Sequence, residues 1–100
     1  MECARQIIAT HAMIIQICQQ RVSGVPDSLI GGPIALCKVQ ATKVMEFVAR
    51  ECSQDFGGKA YLKSGPGAAV ERVYREVRVY AIGGGSEEIM LDLASRQARL

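Results

Sequence analysis

Residues 70–90 read VERVYREVRVYAIGGGSEEIM, and the way they are parsed decides the fold. Within them, Val77-Arg78-Val79-Tyr80-Ala81-Ile82 alternates like a strand. Nothing else in the chain alternates to pair with it, and a lone strand leaves its backbone N–H and C=O groups unmet. The segment is therefore irregular or helical, and the chain is all-α. Before it, Val70, Val73, Tyr74 and Val77 recur at helical spacing and predict a short helix from about Ala68 to Glu76. After it come Gly83, Gly84 and Gly85, which have no Cβ and accept positive φ. Ser86 is a good N-cap, and Glu87 and Glu88 oppose the helix dipole favourably in a first turn. A last helix is predicted from about Glu87 to Gln97, with Ile89, Met90, Leu93 and Ala94 apolar. The chain thus makes a bare-backbone corner at the mouth of a helix, and such a corner suits a ligand.

Working outward from this stretch, Lys59 to Gly67 is a Gly/Pro loop. A long helix precedes it, ending near Asp55 at Phe56-Gly57-Gly58, with Ile34, Cys37, Ala41, Val44, Met45, Val48 and Cys52 as its buried stripe. Its start is set by Pro33, which inside a helix removes a hydrogen bond and crowds the carbonyl of Leu29. In a first turn the same proline is harmless, so the helix is predicted to begin near Pro33. Lys38, Lys43, Glu46, Arg50 and Glu51 form a mostly solvated face, with Glu46 and Arg50 a favourable i,i+4 pair. Residues Cys3 to Val22 form the first helix, with Ile7, Ile8, His11, Ile14, Ile15, Cys18 and Val22 in one stripe. Ser23-Gly24-Val25-Pro26-Asp27 is the turn that ends it. The architecture predicted is about four helices, two long and antiparallel and two short, part of an up-and-down helical bundle.

Composition excludes several functions. At 100 residues the chain is one domain at most, or part of one. A net charge of +2 with five scattered aromatics does not make a nucleic-acid surface. No apolar run is long enough to span a membrane, and no secretory signal opens the chain. Cys3, Cys18, Cys37 and Cys52 lie too far apart for zinc pairs of the CxxC kind and read as small buried thiols in a reducing compartment. His11, the single histidine, reads as a packed or edge side chain, and no Ser/His/Asp or Cys/His arrangement is available beyond what a single histidine would allow. The Gly83-Gly84-Gly85-Ser86 corner is not a nucleotide phosphate loop: the GxxxxGK[ST] pattern is absent and two glutamates follow. Composition and spacing alone give no enzyme, no catalytic residue and no metal site.

Three segments in order change that. Gln54-Asp55-Phe56-Gly57-Gly58-Lys59-Ala60-Tyr61 resembles the QxxGGxGY segment of acyl-CoA dehydrogenases. Glu71 to Arg78 is similar to that family's ER-x-YRD-x-R, and Gly84-Gly85-Ser86-Glu87-Glu88-Ile89 to its closing [E/G]GT-x-[E/Q]I. Their mutual spacing matches, as does Lys38 upstream. The resemblance covers essentially the whole chain and corresponds to roughly the last quarter of a family subunit, so residues 1–100 are expected to be a C-terminal helical domain fragment.

The resemblance implies a flavoenzyme that oxidises acyl-CoA thioesters to trans-2-enoyl-CoA with FAD as cofactor. It also implies a homo-oligomer, with electron-transfer flavoprotein as a partner. By motif match, Gln54, Gly57 and Gly58 would touch the adenosine-diphosphate part of FAD held by a neighbouring subunit. Ser86 and Glu88 would lie near the FAD of their own subunit, and Gly84 and Gly85 would line the thioester end of the acyl chain. The chain departs from the pattern at Gly84, where many members place the catalytic glutamate; long-chain members also have glycine there and take the base from an earlier helix. Ser86 stands for Thr, Glu76 for Asp, and Ala60 for the third glycine of the first motif. The fragment alone is expected to be inactive. The alternative is a free-standing helical interaction module that kept the packing and lost the chemistry. A mitochondrial or bacterial cytoplasmic location is expected. The terminal Ala98-Arg99-Leu100, a loose variant of a peroxisomal signal, reads instead as a helix end.

Overall fold

A computed structural model describes residues 1–98; the terminal Arg99-Leu100 lies outside the described residues. Four helices follow one another: α1 (Glu2–Val22), α2 (Asp27–Phe56), α3 (Ala68–Ile82) and α4 (Glu87–Ala98), with a short 3₁₀ turn at Gly57–Tyr61 after α2. Among the described residues there is no strand. The architecture is all-α, as the sequence predicts. The alternating segment Val77–Ile82 is helical and extends α3 past Glu76.

The centre of the molecule is α2, against which α1, α3 and α4 all pack. Its start differs from the expectation. The helix begins at Asp27 and carries Pro33 inside it. Pro26 is already extended, with φ −67° and ψ 154°, and its carbonyl accepts from the Leu29 and Ile30 N–H groups at 2.9 and 3.2 Å. Arg21 closes the turn on Asp27 with an ion pair. The extra turn seats Ile30, the largest fully buried side chain among the described residues, and burial of that size is worth roughly 2 kcal/mol against the one bond the proline removes. Gly31 and Gly32 lie against the Gln97 side chain, so the same turn gives α4 a flat place to rest.

The predicted stripes need rotation. In α2 the buried residues are Ile30, Gly32, Ala35, Val39, Thr42, Val44 and Ala49. Only Val44 belongs to the expected set. A helix with three neighbours buries small residues on several sides, which a single-stripe reading cannot anticipate. In α1 only Thr10 is buried, and Ile8 (68% exposed), Ile15 and Val22 face outward. That helix packs mainly on α2, so its apolar surface is wider than its neighbour can cover. Val77 is buried in α3 and Ala94 in α4, whereas Tyr74, Ile89 and Leu93 remain exposed. Cys18 is exposed and the other cysteines half-buried, all as free thiols. Burial, then the nearby Cys18, raises the Cys37 thiol above its ordinary value.

Candidate functional site

The glycine corner between α3 and α4 is built by its own backbone and braced from α2. α3 stops at Gly83, whose N–H donates to the Val79 carbonyl at 2.7 Å. Gly84 and Gly85 then take φ of 71° and 110°, the region that side chains other than glycine rarely enter. Ser86 caps α4, its Oγ accepting from the Ile89 N–H at 3.4 Å. Lys38 of α2 reaches across, and its Nζ donates to the carbonyls of Ala81 at 3.1 Å and Gly85 at 2.6 Å. One turn further along α2, the Thr42 hydroxyl donates to Glu87 Oε1 at 3.0 Å, and Lys43 Nζ stands 3.0 Å from Oε2. The Glu87 side chain is only 12% exposed. Lys43 first, and then the Thr42 hydroxyl, hold its carboxyl below the ordinary carboxylate value. Gly84 has no heavy atom within 4 Å of where a Cβ would stand, so that side of the corner is open.

The C-terminal end of α2 contrasts with this. Gln54 is exposed in its last turn. Gly57 caps the helix with φ 59°, and neither it nor Gly58 has an atom within 4 Å of a Cβ position. A residue-by-residue rise of 1.5 Å places Gln54 about 24 Å along the axis from Lys38. The structure therefore brings Gly84, Gly85 and Ser86 together against the middle of α2 and leaves Gln54, Gly57 and Gly58 at its C-terminal end. Glu88 is exposed on the first turn of α4 beside the corner. Between α3 and α2, Arg78 donates to Glu46 at 2.8 Å. This replaces the expected Glu46–Arg50 pair; Arg50 instead meets Glu51 at 2.9 Å. Arg75 pairs with Glu71 at 3.1 Å within α3.

A groove of about 560 Å³ opens between α1, α2 and α3, lined chiefly by Ile7, Ile14, Val44, Val48, Val70 and Val73. His11 lines it from an exposed position on α1. The groove is apolar and lies along the flank of α2 rather than at the glycine corner.

Two of the three motif segments, Gln54–Tyr61 and Gly84–Ile89, thus sit where a helix ends, and Glu71–Arg78 lies within α3. The model of the acyl-CoA dehydrogenase C-terminal domain matches residues 1–98. This chain belongs to the acyl-CoA dehydrogenase family. It is 38% identical over 94 residues to the acyl-CoA dehydrogenase AFT10-1 of Alternaria alternata, covering 89% of this chain and 22% of that protein. It is 37% identical over 71 residues to the acyl-CoA dehydrogenase apdG of Emericella nidulans, 71% of this chain and 16% of that one. With the mitochondrial long-chain specific acyl-CoA dehydrogenase of Mus musculus, identity is 32% over 96 residues, 96% of this chain and 21% of that one. The chain thus spans about a fifth of the length of these relatives. No solved structure matches. Among the described residues, no helix is long and apolar enough to cross a membrane.

Sequence reasoning missed the bracing. It placed Lys38 and Lys43 on a solvated face and read Glu87 as a helix-start residue alone. The signal was present: Lys38 and Thr42 stand four apart on one face of α2, with Lys43 adjacent.

Proposed function

We propose that residues 1–100 are the C-terminal helical domain part of an FAD-dependent acyl-CoA dehydrogenase, inactive alone, that carries flavin- and substrate-facing positions. The observation that supports this most strongly is the Gly84-Gly85-Ser86 corner, which is held from behind by α2 and open in front, in register with the family's closing motif. Gly84 and Gly85 line the thioester end of the acyl chain, where backbone without side chains lets the substrate approach closely. Ser86 and Glu88 stand beside the flavin of the same subunit. Gln54, Gly57 and Gly58 meet the adenosine-diphosphate part of a neighbouring subunit's flavin, and their exposed amide and unobstructed backbone fit that contact. Bound FAD supplies the acceptor for the hydride that leaves the β-carbon.

The base that removes the α-proton lies outside this chain. Gly84 has no side chain to offer, and the carboxylate of Glu87 is engaged by Thr42 and Lys43. Electron-transfer flavoprotein is the proposed electron acceptor, and a homo-oligomer the proposed assembly. A second reading, a free-standing helical oligomerisation module, draws on the exposed isoleucines of α1 and the apolar groove beside them.

The two readings separate by experiment. The coding sequence upstream of Met1 is determined, and the protein it specifies is tested for FAD retention and for anaerobic flavin bleaching by an acyl-CoA. A frame that continues upstream and a flavin that bleaches support the dehydrogenase. A frame closed directly before Met1, with a chain that self-associates in sedimentation and binds no flavin, supports the module. A micromolar or tighter FAD complex of the isolated chain, about 8 kcal/mol, overturns the inactive-part reading.

A further inference from the structure

We infer that Lys38 is the positioning residue of the glycine corner: by donating to the Ala81 and Gly85 carbonyls together, it ties the end of α3 to the start of α4 and fixes the backbone between them. This rests on the reading above that the corner faces a ligand. Ala81 lies in the last turn of α3, where carbonyls have no partner within the helix. An ammonium there both satisfies one of them and meets the negative end of the helix dipole. Gly85, the second of the two positive-φ residues, contributes its carbonyl from the far side of the turn. The two acceptors therefore bracket Gly83 and Gly84, and a single cation holds both ends of the turn.

Two features separate this from a lysine that merely packs. The ammonium donates to two carbonyls at once, one from each side of the turn. The donor also arrives from the α2 side, leaving the Gly84 face open. Lys38 can thus shape the corner without touching what the corner meets. Glu87, held by Thr42 and Lys43 one turn along, anchors α4 and leaves the turn itself to Lys38.

The test uses the 100-residue chain, ¹⁵N-labelled, as wild type, Lys38→Met and Lys38→Arg. Two quantities are read: the amide resonances of Gly84 and Gly85, and the ratio of the hydrogen exchange of the Gly83 N–H, which donates to Val79, to that of Val39 in the core of α2. The Val39 rate by itself reports any overall loss of stability. In Lys38→Met, both glycine resonances should move and the ratio should rise roughly tenfold. Lys38→Arg keeps a cation able to donate to two carbonyls and should restore most of both. Unchanged glycine resonances and an unchanged ratio in Lys38→Met would overturn the assignment. So would an arginine variant as perturbed as the methionine one, since the cation would then not be the cause. Flavin enters neither readout, so failure here leaves the dehydrogenase reading standing, and failure of that reading leaves this result intact.

Discussion

Gly84-Gly85 and Gly57-Gly58 are both glycine pairs at the end of a helix, and the chain treats them in opposite ways. The first pair is bracketed by Lys38 and followed by an anchored glutamate. The second has no side chain or backbone within 4 Å of either Cβ position. Glycine content alone therefore does not define a preformed corner. One pair is held by side chains of α2, and the other is left open.

The largest expected effect comes from adding a methyl group to each region. Gly85→Ala places a Cβ 2.0 Å from the Met90 methyl carbon at a φ of 110°. It should lower stability by about 2 kcal/mol. Gly58→Ala meets open space at an ordinary φ and should change it by less than about 0.5 kcal/mol. Urea denaturation of the two variants checks the contrast, and equal losses would break it.

A smaller effect isolates the anchor. Because the folded-state value of Glu87 is depressed, its contribution is fully present above the ordinary 4.5 and is lost as pH falls through the lowered value. At pH 6 Glu87→Gln should be less stable than wild type by about 1 kcal/mol, and in acid the gap should close. Denaturation curves at both pH values measure it; a gap that persists at low pH would remove the carboxylate from the brace.

The smallest effect on stability belongs to the unbraced end. Gln54→Ala should leave the melting curve within about 0.5 kcal/mol of wild type, while flavin retention in the proposed full-length dehydrogenase falls. A clear loss of stability would mean that the Gln54 end is held by the chain after all.

Much of this was legible in the sequence, and the failures share a cause. Helix existence followed from spacing, and Val77–Ile82 could be denied a strand because nothing was present to pair with it. The Ser86 cap followed from local chemistry. What escaped depended on a third element. Pro33 sits inside α2 because Ile30 is buried below it and α4 lies on Gly31-Gly32, contacts remote in sequence. Lys38 looked like solvated charge because its partners are backbone carbonyls, which leave no mark in a residue pattern. The isoleucines of α1 were read as core, yet a stripe reports what a helix can bury and not what its own chain supplies to cover it.

The rigidity of α2 has a further consequence. Lys38 and Gln54 share one uninterrupted helix, so their separation and their angular phase are fixed together. Deleting a single residue between them would turn one glycine segment by about 100° about the axis relative to the other. The two would then face different directions. Changes of length are absorbed by the Ser23–Pro26 turn or the Leu62–Gly67 loop, and the helix between Lys38 and Gln54 works as a ruler whose graduations cannot be altered one at a time.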